Sequence, residues 1–136
     1  MLRLTIRDAH PDDEGRVIAL WRDCGLVSSY NDPAADFRFA MAGLASGVLV
    51  GQDEGGRVVA SVMVGHDGHR GWLYYVAADP AAQGQGIGRR LIEETRTAAG
   101  GALTTTLLLS APGAVTYYEG IKMPKADNCY LYRRER

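Results

Sequence analysis

A glycine-rich loop between an apolar strand and a helix is the segment of this sequence best suited to chemistry. Glycine occupies three alternate positions, Gly84, Gly86 and Gly88, and without a Cβ these residues let backbone amides approach a bound group closely. The helix that follows has free N–H groups in its first turn, and such groups attract anions. Arg89 and Arg90 add positive charge beside them. The loop is therefore predicted to bind a phosphate-containing ligand.

The spacing of these glycines excludes two common phosphate-binding motifs. The dinucleotide fingerprint needs glycines at its first, third and sixth positions. Counting from Gly84, the sixth position is Arg89, and no early strand-helix-strand unit accompanies the loop. The nucleotide-binding P-loop is excluded because no Gly-Lys-Ser/Thr follows. The pattern that remains is Gln83-x-x-Gly86-x-Gly88.

This pattern resembles the acetyl-CoA pyrophosphate motif of the GCN5-related N-acetyltransferases (GNAT), written Gln/Arg-x-x-Gly-x-Gly/Ala. A second segment, Ala114 to Glu119, is similar to the Ala-x-x-Phe-Tyr-Glu segment of the same superfamily. The resemblance runs nearly end to end and implies a single N-acetyltransferase domain over residues 1–136. Other segments have the order and spacing of a bacterial YpeA-like acetyltransferase subgroup: Ala19-Leu20-Trp21, Cys24-Gly25-Leu26, Asn31-Asp32-Pro33, Asp67-Gly68-His69-Arg70-Gly71 and Tyr74-Tyr75.

The resemblance implies that acetyl-CoA is the co-substrate and that its acetyl group passes to an amine by direct attack in a ternary complex. Backbone groups around Val76 and Ala78 would pair with the pantetheine amides, and one strand N–H would polarise the thioester carbonyl. The pyrophosphate would lie on the glycine loop. The implied cofactor-binding residues are Val76, Ala78, Gln83, Gly84, Gln85, Gly86, Ile87, Gly88 and Arg89.

Tyr118 is the implied catalytic side chain, since a hydroxyl near the sulfur can protonate or stabilise the departing thiolate. The alternative is a tyrosine packed between helix and sheet with its hydroxyl bonded to backbone. Tyr117 is expected in the core. Two departures from the family pattern concern the region near the thiol: Ala111 stands where many members have asparagine, and Lys122 replaces a glycine.

The sequence does not identify a general base. Many relatives carry a glutamate in the strand that here reads Trp72 to Val76, and this strand has no carboxylate. A substrate ammonium must nevertheless lose a proton before it attacks. Groups that could relay this proton through water are Tyr74, Tyr75, His66, Asp67 and His69.

The resemblance implies an acceptor site between the first two helices and the loop at 67–70. Asp36 is predicted to attract a cationic amine, whereas Asp32 is expected to cap the helix that begins at Pro33. The polar and aromatic wall suits a small amine, and equally a peptide N-terminus, a lysine or an aminoglycoside. The predicted substrate residues are Tyr30, Asn31, Asp36, His69 and Tyr74.

The elements that position these residues are predicted from periodicity and turn signals. Apolar residues repeat on one helix face at Val17, Leu20, Trp21 and Cys24, and again at Phe37, Ala40, Met41 and Leu44. Helices are predicted over 12–24, 33–46, 87–99 and 114–119. Strands are predicted over 2–7, 48–52, 57–64, 71–76, 103–109 and about 128–133. The expected fold is α/β (α+β), a mixed, twisted central sheet of about six to seven strands with helices on both faces, which is also the GNAT-like acyl-CoA N-acyltransferase fold that the resemblance implies.

Length and composition limit the possible functions. A chain of 136 residues with 46% hydrophobic content fits one domain with one core. The net charge of −1 gives no basic surface for nucleic acid. Cys24 and Cys129 form neither a disulfide framework nor a metal set. No signal peptide and no membrane-length apolar run is found, so a cytoplasmic protein without membrane association is expected. A homodimer, common in the superfamily, stays open.

Two other function classes stay open. The first is a non-catalytic acyl-CoA-binding or regulatory domain, which the missing strand carboxylate, Ala111 and Lys122 favour. The second is a nucleotide-binding module, although neither phosphate fingerprint fits it. Thiol release from acetyl-CoA with an amine separates the enzyme from both.

Overall fold

The computed structural model describes residues 3–98 and 104–107 of the chain. Short 3-10 turns at Pro11–Asp13 and Pro80–Ala82 precede α1 and α3. None of the helices in these two ranges is long and apolar enough to cross a membrane. The elements are β1 (Thr5–Asp8), α1 (Glu14–Asp23), α2 (Pro33–Ala42), β2 (Ser46–Gln52), β3 (Val58–His66), β4 (Arg70–Ala78), α3 (Ile87–Ala98) and β5 (Thr104–Leu107).

The five strands form one sheet in the order β1-β2-β3-β4-β5. The first four strands are antiparallel, and β5 pairs parallel with β4 from Arg70 opposite Thr104 to Leu73 opposite Leu107. The predicted mixed sheet is therefore confirmed. The described residues contain five strands rather than six to seven, and the predicted helix at 114–119 and strand at 128–133 lie outside them.

Helices cover both faces of the sheet, as predicted. On one face α3 packs through Ile87 and Leu91 against residues of β2, β3 and β4. On the other face α1 and α2 pack through Leu20, Trp21 and Phe37. All five side chains are at most 3% exposed, and burial of this kind is the main stabilising contribution to the fold. The loop that follows β4 therefore passes from a partly buried strand to a helix anchored in the core.

The end of α2 differs from the prediction for a local reason. The helix begins as expected, because the Asp32 carboxylate accepts hydrogen bonds from two backbone N–H groups of its first turn. It ends at Ala42 rather than near Ser46, since Ser46 already starts β2 and its hydroxyl donates to the carbonyl of Ala40. Leu44 therefore lies outside the helical repeat and is fully exposed. Its predicted place on the apolar face of this helix is wrong.

Smaller differences occur at other boundaries. The first helix begins two residues late because the preceding residues form a 3-10 turn. The hairpin loop between β2 and β3 has five residues, and the backbone N–H of Asp53 donates to the carbonyl of Arg57 across it. Strand β4 continues two residues past Val76, to Ala78. None of these differences moves the glycine loop from the position that the sequence predicts.

The buried hydrogen bond between Trp21 and Ser61 carries a stability prediction. The indole Nε1 of Trp21 donates to the Ser61 hydroxyl at 2.9 Å, and both side chains are fully buried. Ser61→Ala would leave the indole N–H unpaired, so it should lower the free energy of unfolding by about 1–3 kcal/mol. Urea unfolding measures this difference, with Ser29→Ala at an exposed position as the control. Equal losses in the two variants would contradict the role given to the hydrogen bond.

Candidate active site

The glycine loop leaves open space in front of α3. Gly84 and Gly86 have φ angles of 83° and 75°, in the left-handed region that glycine adopts without strain. A Cβ built on either residue would meet none of the described atoms within 4 Å, apart from those of its chain neighbours. The loop is thus shaped by backbone alone, and the space beside it is large enough for a ligand group to approach.

The first turn of α3 suits an anion. It contains no acidic residue, and the N–H groups of residues 87–89 have no partner inside the helix because the first helical hydrogen bond is donated by the N–H of Arg90, to the carbonyl of Gly86. The side chain of Ile87 is buried and anchors this turn in the core. A bound anion would therefore meet partial positive charge on a fixed backbone.

The two arginines that follow the loop have different surroundings. Arg89 is exposed and lies 3.4 Å from Glu93, one turn further along α3. Arg90 donates from its guanidinium to the carbonyl of Leu4 at 2.9 Å, so its side chain ties α3 to the start of β1. Of the two, Arg89 is the side chain free to swing towards a ligand on the loop, since an exposed ion pair of this kind is weak.

Asp79 fixes the start of the loop. Its Oδ2 accepts hydrogen bonds from Arg16 at 2.6 Å and Arg57 at 3.0 Å, and its Oδ1 accepts the backbone N–H of Ala81 at 2.9 Å. The Ala81 N–H and then the two arginines hold the pKa of Asp79 below its ordinary value, against the effect of burial. The Gln83 amide donates back to the last carbonyl of β4 at 3.1 Å. Four contacts thus hold the chain between β4 and the glycines.

Asp79 should make folding stability depend on pH in acid. Because the folded pKa lies below the value of about 3.9 in an unfolded chain, the Asp79 contribution is complete above that value and is lost as pH falls through the folded pKa. Urea unfolding between pH 7 and pH 3 should show that the free energy of unfolding falls less with decreasing pH in Asp79→Asn than in the unmodified protein. Parallel pH curves for the two proteins would argue against this coupling.

A β-bulge interrupts the pairing of β4 with β3. Ala77 lies opposite Ser61 and Tyr74 lies opposite Met63, so two residues of β4 face one residue of β3 between them. Tyr75, at the bulge, has a φ of 51°, which is unusual for a bulky side chain and marks local strain. The bulge puts Tyr74 and Tyr75 on the same side of the sheet as α1 and α2, because the alternation of side chains is broken there.

Tyr75 connects the bulge to α2. Its ring stacks on Trp21 with a centroid distance of 4.0 Å and an interplanar angle of 9°, and its hydroxyl donates to Asp36 Oδ2 at 2.7 Å. Burial first, and then the Asp36 carboxylate, raises the pKa of Tyr75 well above its ordinary value, while Asn31 acts in the opposite direction. Tyr75 is therefore a fixed hydrogen-bond donor and does not suit the proton-accepting relay that the sequence left open.

The loop before β4 is held by Asp67. Its Oδ1 accepts the backbone N–H groups of His69 at 2.9 Å and Arg70 at 2.8 Å, and its Oδ2 accepts the indole N–H of Trp72 at 3.1 Å. These donors, led by Arg70, lower the pKa of Asp67 to about 2. A carboxylate with so low a pKa is a poor proton acceptor near neutral pH. Asp67 therefore has a structural role in the turn.

The structure brings some of the predicted residues together and leaves others apart. Tyr30, Asn31 and Asp36 lie around the Tyr75 phenol, and Tyr74 is 38% exposed on the same face. His69 is exposed in the loop that Asp67 holds. The residues predicted to bind the cofactor form a separate group along the end of β4 and the start of α3. The remaining sequence predictions, which concern Ala111, Tyr117, Tyr118, Lys122 and Cys129, lie outside the described residues.

Known proteins agree with this architecture. A family model described as "Acetyltransferase (GNAT) domain" matches residues 45–121. Acetyltransferase SG1711 of Sodalis glossinidius is 33% identical over 132 residues, which are 94% of this chain and 92% of that protein. The two matches are independent of the geometry described above and include the glycine loop.

Solved structures share the fold at low sequence identity. A predicted acetyltransferase of Clostridium acetobutylicum, crystallised with acetyl-CoA, has a TM-score of 0.76 at 13% identity and covers 96% of both chains. Aminoglycoside N-acetyltransferase AAC(6')-Iy in complex with CoA has a TM-score of 0.78 at 11% identity, with 98% of this chain and 96% of that chain covered. The family match and the curated relative carry the assignment, and the structures confirm the fold: the chain belongs to the GNAT acetyltransferase family.

Proposed function

We propose that the protein is an acetyl-CoA-dependent N-acetyltransferase that transfers acetyl to an amine by direct attack in a ternary complex. The observation that carries the proposal is the open glycine loop at the start of α3, placed directly after the bulged end of β4. The loop that would bind an anion therefore lies next to the irregular end of β4. Family membership supports the same reaction class. The segments around Asn31 to Pro33 and Tyr74 to Tyr75 further favour the YpeA-like subgroup.

The residues present fit coenzyme A. Its pyrophosphate carries negative charge, and Gly84, Gly86 and the N–H groups of residues 87–89 offer an uncrowded backbone surface without an acidic neighbour. Val76 and Ala78 would supply backbone groups to the pantetheine amides. When bound, acetyl-CoA supplies an activated acetyl thioester: the amine nitrogen forms a bond to the carbonyl carbon, the C–S bond breaks, and coenzyme A leaves as a thiol.

Three of the five residues that could accept the proton of the acceptor ammonium do not suit the role of a base, which leaves His66 and His69. Tyr75 donates to Asp36 and its pKa is raised, and the pKa of Asp67 is too low. The pKa of Tyr74 is raised by burial and by the charge of Asp67, so this phenol also remains protonated. We infer that the proton passes to solvent water, directly or through one of the exposed histidines His66 and His69, and that the rate rises with pH as the amine is deprotonated.

A panel of amines with acetyl-CoA, followed by thiol release, tests the proposal. The panel should contain butylamine, spermidine, kanamycin and a peptide with a free N-terminus and a lysine. The expected result is amine-dependent thiol release from at least one of them, with intersecting initial-rate lines when both substrates are varied. Parallel lines would indicate a covalent acetyl-enzyme and would contradict direct attack.

The alternative is a non-catalytic acyl-CoA-binding or regulatory domain. The observation that favours it is the absence of a carboxylate on β4, together with the engagement of Asp67 in its own turn. Calorimetry separates the two functions: tight binding of coenzyme A without thiol release for any amine in the panel would support the alternative. Binding of ATP or NAD without binding of coenzyme A would contradict both.

A further inference from the structure

We propose that Asp36 is the residue that selects a positively charged acceptor, and that Tyr75 is the positioning residue that holds it. This inference rests on the proposed acetyltransferase function and names the acceptor class, a primary amine that binds as its ammonium form. It is carried by the charge balance around Asp36, by the aromatic surfaces beside it and by the strained backbone of Tyr75.

The charge of Asp36 is not neutralised within residues 3–98. Asp36 is half-buried, its carboxylate accepts the phenol of Tyr75, and it forms no ion pair with a cation of this range. By contrast, three of the four other buried or half-buried carboxylates in this range pair with arginine: Asp13 with Arg7, Glu14 with Arg38, and Asp79 with Arg16 and Arg57. The fourth, Asp53, accepts two backbone N–H groups of its own turn. Removing a carboxylate from water is costly unless a cation compensates it. A cationic ligand would supply that compensation.

The position of Asp36 in the first turn of α2 offsets part of this cost, because the helix N-terminus favours negative charge. That effect does not explain why the side chain turns towards β4 and meets the phenol at 2.7 Å. The hydrogen bond to a carboxylate is strong, and it directs the charge at the bulge rather than into solvent. The direction of the side chain is thus set by Tyr75.

Aromatic surfaces border the same point. The bulge places Tyr74 and Tyr75 on one face, Tyr75 is stacked on Trp21, and Tyr30 acts on the pKa of the Tyr75 phenol and is therefore close to it. Tyr74 and Tyr30 are 38% and 50% exposed, so their surfaces are accessible from outside. Aromatic faces attract ammonium groups as well as apolar chains. A carboxylate beside such faces favours an organic cation over a neutral or anionic acceptor.

Tyr75 is held in place by its ring as well as by its hydroxyl. Its stacking partner Trp21 is itself fixed by the buried Ser61 hydroxyl, at 2.9 Å. The φ of 51° at Tyr75 costs conformational energy, which the surrounding packing must offset. Such strain persists where the surrounding packing holds a residue in one position. Here that packing holds the Tyr75 phenol against Asp36.

Steady-state kinetics with the best acceptor of the amine panel tests the inference. Asp36→Asn should raise the KM for the amine about 10-fold to 100-fold, as expected for loss of a charged hydrogen bond, and should flatten the fall of kcat/KM with added salt. Tyr75→Phe keeps the ring and the stack but frees Asp36, so its increase in KM should be smaller, about 3-fold to 10-fold. The KM for acetyl-CoA should not change in either variant.

The double variant distinguishes positioning from an independent contribution. If Tyr75 acts through Asp36, the double variant should have the same amine KM as Asp36→Asn alone. Asp12→Asn, at an exposed carboxylate outside the site, is the matched control and should leave the KM and its salt dependence unchanged. An unchanged amine KM in Asp36→Asn, with only a lower melting temperature, would overturn this inference while leaving the acetyltransferase function intact. A protein that binds coenzyme A but acetylates no amine would overturn both.

Discussion

Gly86→Glu is expected to abolish coenzyme A binding. The open space beside Gly86 is where the pyrophosphate would lie, and the substitution puts both bulk and negative charge there. The left-handed φ of 75° at this position adds strain for any residue with a Cβ. Isothermal titration calorimetry with coenzyme A should give no measurable heat of binding for the variant, whereas the unmodified protein should bind.

Gly68→Glu is the matched control for this experiment. Gly68 has a φ of 85° and equally open surroundings, so the substitution brings the same charge and comparable strain. It lies in the loop before β4, whereas the glycine loop follows the other end of that strand. Gly68→Glu should therefore retain coenzyme A affinity. Retained affinity in folded Gly86→Glu would reject the glycine loop as the pyrophosphate site.

Tyr118→Phe is expected to lower kcat by about 100-fold or more, the usual loss on removal of a general acid. The variant loses one hydroxyl and little volume, so the affinity for acetyl-CoA should stay nearly unchanged. The expectation depends on the resemblance of the 114–119 segment to the family, because this segment lies outside the described residues. Initial rates of thiol release at saturating acetyl-CoA measure the effect.

Tyr117→Phe provides the comparison for Tyr118→Phe. The two tyrosines are adjacent in the sequence, and Tyr117 is expected to pack in the core, so loss of its hydroxyl should change kcat by less than about 3-fold. Similar rates in the two variants, with a lower melting temperature for Tyr118→Phe, would favour the packing role for Tyr118.

The geometry of the glycine loop could be predicted from sequence because local rules determine it. Glycines with positive φ and a helix start are properties of a short stretch of chain, and Gly84, Gly86 and Ile87 lie where those rules place them. The cap at Asp79 obeys the same Asp-Pro signal that identified the cap at Asp32. The sequence does not predict this turn, because a 3-10 turn of three residues is too short to give an apolar repeat.

The surroundings of Asp36 could not be predicted in the same way. Its contact with Tyr75 joins residues 39 positions apart and depends on a bulge, which shifts side chains of β4 by one position. Alternation along Trp72 to Val76 would place Tyr74 and Tyr75 on opposite faces, whereas the structure places both beside α1 and α2. Tertiary pairing, rather than local pattern, therefore decides which residues face the proposed acceptor site.

Transfer of an isotopically labelled acetyl group tests the central claim most directly. The purified protein would be incubated with acetyl-CoA labelled in the acetyl carbons and with each amine of the panel, and products would be identified by mass spectrometry. The account predicts a labelled N-acetyl amine formed in equal amount to the released thiol, and no such product from Gly86→Glu. Coenzyme A binding by calorimetry without labelled amine from any member of the panel would contradict it.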